Sequence, residues 1–147
     1  TTQAAPSAAL LFLRPKSFIF RKLLLILPCK KIKMEHEFKI RIEFLNEAME
    51  YLKTLPEPVI KKMAYNMSRI AGGEINSELF KKLYDDIWEF RVKMQGNAYR
   101  LLAFWDKNTK SLIVATHGFN KKTQKTPKAE IEHAIKIMNE YYSNNKE

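Results

Sequence analysis

Between Ile87 and Phe119 the chain alternates apolar and polar residues in three consecutive runs, each closed by a turn signal. Alternation with period two sends successive side chains to opposite faces, so each run reads as a half-buried strand. Residues 87–94 set Trp88, Phe90, Val92 and Met94 against Glu89, Arg91 and Lys93. Gln95-Gly96-Asn97 turns the chain, 99–106 runs back, 107–110 turns again and 111–119 makes a third strand. Strands joined by such short turns pair antiparallel, because a parallel neighbour needs a crossover of roughly a dozen residues or more. A three-stranded meander is therefore the element that every other part of the fold has to cover.

The flanking segments supply that cover. Residues 37–43 alternate, with Phe38, Ile40 and Ile42 on one face, and predict a further strand. Residues 44–55 switch to helical spacing, with Leu45, Ala48, Met49 and Leu52 on one stripe. Pro56 and Pro58 break that helix, since proline has no amide hydrogen to donate. A second helix aligns Val59, Met63, Met67 and Ile70 and stops at Gly72-Gly73. Its methionines read as core filler. Residues 77–83 suggest a short helical turn. Beyond the meander, Thr126 offers an N-cap hydroxyl and Pro127 a first helical position. Ile131, Ala134, Ile135 and Met138 then form the stripe of a C-terminal helix. The order strand, helix, helix, meander, helix implies an α+β fold, with helices packed on one face of a mostly antiparallel sheet.

Charge divides the 147 residues unevenly. The formal net charge is +10, yet residues 1–33 hold seven Lys or Arg and no acid, while 34–147 hold nineteen basic and sixteen acidic residues. The expected organisation is a folded domain over 34–147, with Met34 as the natural start and 1–33 as an extension outside the native fold. Apolar runs in that extension reach only five or six residues. A membrane helix needs about 20, so no membrane partner is expected. Cys29 is the sole cysteine, which rules out an intrachain disulfide and a cysteine-based metal site. His36, His117 and His133 show no metal-ligand spacing, and no carboxylate cluster suits magnesium. Neither metal nor cofactor is expected.

If the hairpins close through Gly96-Asn97 and Asn108-Thr109, Lys93 lies opposite Arg100, and Arg100 lies opposite His117. Arg91 then sits two residues along the same face. Trp88, Phe90, Val92, Tyr99, Leu101, Trp105, Leu112 and Val114 gather on the other face, against the helices. Like charges across strands repel, so an anion should sit among the cations: Glu89 in part, a bound phosphate for the rest. A lone arginine is more often an ordinary ion-pair partner, and a lone strand histidine is more often packed. The grouping beside Lys121, Lys122, Thr123 and Lys125 is what favours a polyanion site. In that setting His117 becomes a candidate general acid or base.

The segment His117-Gly118-Phe119-Asn120-Lys121-Lys122-Thr123, followed by Thr126-Pro127 and an amphipathic helix, resembles the signature of the HigB-like branch of the RelE toxin superfamily. Lys82-Leu83 and Ile87-Trp88-Glu89-Phe90-Arg91 are similar to that family's Lys-Leu…Leu-x-Glu-Leu-Arg segment, and Tyr99-Arg100 with Phe104 to its Tyr-Arg-Ile pattern. The likeness runs from about Phe38 to Tyr142, and residues 1–33 have no counterpart in it. It implies a cytoplasmic ribonuclease toxin that cleaves messenger RNA in the ribosomal decoding site. A cognate antitoxin, often with a helix-turn-helix, would neutralise it and carry it to operator DNA. It also implies that Arg91, Arg100 and the Lys121-Lys122 pair belong to the active surface.

RNA carries its own nucleophile, so orienting the 2′-hydroxyl in line with the phosphate needs no metal. Arg91 and Arg100 suit the phosphorane charge; His117 or a lysine of the Lys121/Lys122 pair suits proton transfer. The expected catalytic set is Arg91, Arg100, His117 and Lys122, with Lys93, Lys121, Thr123 and Lys125 on RNA phosphates. The competing expectation is a phage-derived homologue that keeps the fold and binds nucleic acid without cleaving it.

Overall fold

The computed structural model describes residues 39–146. The expected extension 1–33, Met34 and the first residues of the N-terminal strand lie outside that range. The element order is β1 (Arg41–Phe44), α1 (Asn46–Thr54), α2 (Glu57–Ala71), β2 (Phe80–Tyr84), β3 (Ile87–Met94), β4 (Asn97–Trp105), β5 (Leu112–Lys121) and α3 (Lys128–Asn144). Five strands form one sheet in the order β1-β5-β4-β3-β2. Only the β1–β5 pair is parallel, which the two intervening helices and the meander make possible. The fold is α+β, as expected.

A strand, β2, stands where a helical turn was expected. Asn76 does start a turn: its side-chain oxygen accepts from the amides of Glu78 and Leu79. From Phe80 the chain extends and pairs with β3. The reason is aromatic packing. Phe80 stacks on Trp88 at 4.9 Å and meets Phe90 at 4.6 Å, so an extended segment covers apolar surface that β3 would leave open. Lys81 and Lys82 remain exposed on this edge strand, which discourages further strand pairing.

Two cores share the sheet. Ile42, Phe90, Val92, Leu101, Ala103, Ile113 and Ala115 pack against Ala48 and Leu52 of α1 and Val59, Ile60, Met63 and Ile70 of α2. Residues of the other parity, Ile87, Leu102, Phe104, Leu112 and Val114, pack against Ala134 and Met138 of α3. One face thus carries α1 and α2, as the stripes implied, while α3 covers one end of the opposite face. Among the described residues, no helix covers the remainder of that second face.

Register explains the arrangement. The β3–β4 loop is Gln95-Gly96, not Gly96-Asn97, because Met94 pairs with Asn97. Both loop residues have positive φ, the requirement of a type I′ turn. Moving a two-residue loop by one position shifts the register by two, so the faces are kept. The partners change: Arg91, not Lys93, lies opposite Arg100.

On the other side of β4, Trp105 pairs with Ile113, which places Leu112 and Val114 on the α3 face instead of the face expected for them. A bulge then inserts Thr116: Ala103 pairs with Ala115, but Leu102 pairs with His117. The extra residue restores the parity, so His117, Phe119 and Lys121 share a face with Arg100. Arg100 itself lies opposite Phe119, not His117.

Candidate nucleic-acid interface

Strand parity brings Glu89, Arg91, Arg100 and Lys121 onto the uncovered half of the second face, with Lys81 opposite Glu89 on the edge strand. Glu89 is the centre of the group. It is 1% exposed, and its Oε1 lies 3.4 Å from both Arg91 Nε and Arg100 Nε. Its other oxygen accepts the hydroxyl of Thr126 at 2.8 Å. Two like charges directly across a ladder repel, and the shared carboxylate offsets that repulsion.

The two arginines are not equivalent. Arg100 is 1% exposed, and its Nη1 donates to Tyr99 O at 3.0 Å. Burial pushes its pKa down, Glu89 opposes that shift, and Arg91 adds to it. Arg91 is only half-buried and donates through Nη1 to Ser77 O at 2.9 Å. Neither Nε–H has an acceptor in hydrogen-bond geometry, although Glu89 is close. Two buried donors of that kind are unmatched polar groups beside one carboxylate oxygen. One carboxylate among Arg91, Arg100 and Lys121 also leaves positive charge in excess.

Lys121 ends β5 beside this group. Burial lowers the pKa of its ammonium; Glu89 opposes the shift, while Arg100, Arg91 and Lys81 reinforce it. The strand stops there, so Lys122 is exposed in the following loop, outside the arginine group. Thr123 and Lys125 are exposed in the same loop, tied by a hydrogen bond from Thr123 Oγ1 to Lys125 O. Lys93 is exposed two residues beyond Arg91 and lies opposite Ala98. Surface concavities line the outer side of α3 and the β3–β4 turn, and neither contains the arginine pair.

His117 is on the expected face but is closed in. It is 5% exposed, its Nε2–H donates to Glu130 of α3 at 2.8 Å, and Nδ1 lies 3.2 Å from the Thr116 hydroxyl. Its ring meets His133 edge-on at 4.6 Å, and His133 donates in turn to Glu47 at 2.7 Å. The net effect of burial is to push the His117 pKa below the ordinary histidine value, against the pull of Glu130. This chain of four groups joins β5, α3 and α1.

Sequence reading missed two residues of the site. Thr126 was expected to cap α3, but the helix has no side-chain cap and that hydroxyl turns to Glu89. Tyr51 of α1 lies over Gly118, where any side chain would overlap its ring. Its hydroxyl donates to Asn120 Oδ1 and Phe119 O, which fixes the strand just before Lys121. Aromatic spacing in a helix gave no hint of such a reach.

Residues 50–139 match the sequence pattern of the family described as phage derived protein Gp49-like (DUF891). That span holds most of α1, all of α2, the four antiparallel strands and most of α3. The chain belongs to that Gp49-like family. No individually curated protein matches it. The Gp49-like family is RelE-toxin-like and is associated with the toxins of toxin–antitoxin systems, so an antitoxin is the partner it implies. In this Gp49-like chain the matched span includes every residue of the arginine group. Among the described residues no helix is long and apolar enough to cross a membrane, and no three His, Cys, Asp or Glu side chains are grouped to hold a metal ion.

Proposed function

We propose that this chain is the toxin of a type II toxin–antitoxin pair, a HigB-like endoribonuclease that cleaves messenger RNA on the ribosome without a metal. The observation that carries the reading is the apposition of Arg91 and Arg100 on the uncovered half of the sheet, with Lys121 beside them and an excess of positive charge. The 2′-oxygen attacks phosphorus and the bond to the 5′-oxygen breaks, leaving a cyclic phosphate and a 5′-hydroxyl. Arg91 contacts the phosphate, and Arg100, buried behind it, aligns Arg91 through Glu89. Lys121, as the neutral amine, takes the 2′-hydroxyl proton, a role its lowered pKa supports, and water protonates the departing 5′-oxygen. Lys93, Lys122, Thr123 and Lys125 bind flanking phosphates, and His117 holds α3 in place. The toxin works in the cytoplasm; a helix-turn-helix antitoxin neutralises it and is its only route to operator DNA.

A second reading, binding without cleavage, draws support from Glu89, which already engages both guanidiniums. Sequencing RNA ends after induced expression separates the two. Wild type should arrest growth and create new 5′-hydroxyl ends. Arg91→Ala should lower cleavage by about 10²–10³ while circular dichroism stays native. Arrest without new ends, or an Arg91→Ala protein as active as wild type, would remove the nuclease reading.

A further inference from the structure

Glu89 uses both carboxylate oxygens on different tasks. Oε1 lies between the two guanidiniums, and Oε2 accepts the Thr126 hydroxyl. Thr126 is half-buried and closes the lysine loop just before α3. Had the helix begun at Pro127, Thr126 would cap it by bonding a first-turn amide. Instead Pro127 holds the cap position and α3 starts at Lys128, so the Thr126 hydroxyl is free for a contact 37 residues away in sequence. Among the described residues, the other side-chain bond within the loop, Thr123 to Lys125, is internal and does not attach it to the sheet.

We propose that Glu89 and Thr126 are a positioning pair: one carboxylate sets the spacing of Arg91 and Arg100 and, through Thr126, holds the lysine loop against them. The inference rests on the nuclease reading for its biological sense, but the coupling itself is a property of the fold. Without the hydroxyl, the loop loses its side-chain tether to the sheet and its lysines lose their fixed distance from the arginines. The Glu89 carboxylate also loses one of its fixed partners, so the guanidiniums become less ordered. Neither residue touches the reacting atoms; both act through Arg91, Arg100 and the loop lysines.

Thr126→Val removes the hydroxyl at nearly constant shape, and Thr126→Ser restores it. Two measurements on the full chain read the coupling. In nitrogen-edited spectra, the Nε–H signals of Arg91 and Arg100 should be distinct in wild type and Thr126→Ser, and broadened by exchange in Thr126→Val. Binding of a 2′-O-methyl RNA oligonucleotide, which cannot be cleaved, should weaken about five-fold in Thr126→Val, the scale of one lost hydrogen bond. Its log-affinity against log-salt slope should fall by roughly one, as a lysine leaves the phosphates. Glu89→Gln should broaden the same signals more strongly. Unchanged arginine signals in Thr126→Val, or failure of Thr126→Ser to restore them, overturns the proposal. If wild type binds no RNA, the nuclease reading fails instead, and the arginine spectra still decide the coupling.

Discussion

His117 illustrates how a side chain can share a face with a site and still serve the scaffold. A solvated strand histidine beside arginines would be free to exchange protons with a substrate. This one is enclosed by Thr116, Glu130 and His133, and His133 is itself held by Glu47. Because burial lowers its pKa in the folded state, the unfolded chain binds the proton more readily. Stability from this group is therefore fully present above the unfolded value of about 6.5 and is lost as pH falls from there through the lower folded value. Thermal unfolding followed between pH 7.5 and 5.5 should show a falling Tm, and His117→Gln should flatten that slope. A pH dependence identical in the variant would assign the effect to another group.

The bulge at Thr116 reconciles the two ends of β5. Before it, β5 gives Leu112 and Val114 to the α3 core; after it, the same parity of the sheet receives His117, Phe119 and Lys121. Thr116 is fully buried, and its hydroxyl donates to Leu102 O at 3.2 Å, so the extra residue is held in place. Deleting Thr116 should leave a regular ladder with the same partners, Ala115 on Ala103 and His117 on Leu102, so Lys121 keeps its face and Gly118 stays under Tyr51. Such a variant should keep its RNA affinity and lose about 1 kcal/mol of stability, the scale of the buried hydroxyl bond to Leu102. Equilibrium denaturation and RNA titration check both expectations; lost affinity in the deletion would show that the bulged geometry itself, and not the pairing it permits, sets the site.

Across the molecule, one sheet is shared by two cores of opposite parity, so neither can melt without exposing strands the other needs. Trp88 and Trp105 belong to the α1–α2 side, while α3 closes the other side through Phe104, Tyr141 and Tyr142. Unfolding should thus be a single cooperative transition. Tryptophan fluorescence and far-ultraviolet circular dichroism should give the same midpoint in urea. An early loss of helical signal would mean that α3 detaches independently.

Local pattern was enough to find most of the fold. Period-two runs identify β3, β4 and β5, and helical stripes with proline and glycine stops identify α1, α2 and α3, because these signals depend only on neighbours in the chain. The strand β2 escaped such reading, since its extended form is chosen by Phe80 packing on Trp88 and Phe90 rather than by its own residues. The same limit applies to the site. Composition marked Arg91, Arg100 and the lysine loop as cations of interest. Their pairing came from a turn placed one residue earlier and from an inserted threonine, both of which are settled by long-range register. Which cation is buried, which is reachable, and that Thr126 meets Glu89 are consequences of packing between segments far apart in sequence. No local rule carries that information, because the energies that decide it arise only when the sheet and its helices come together.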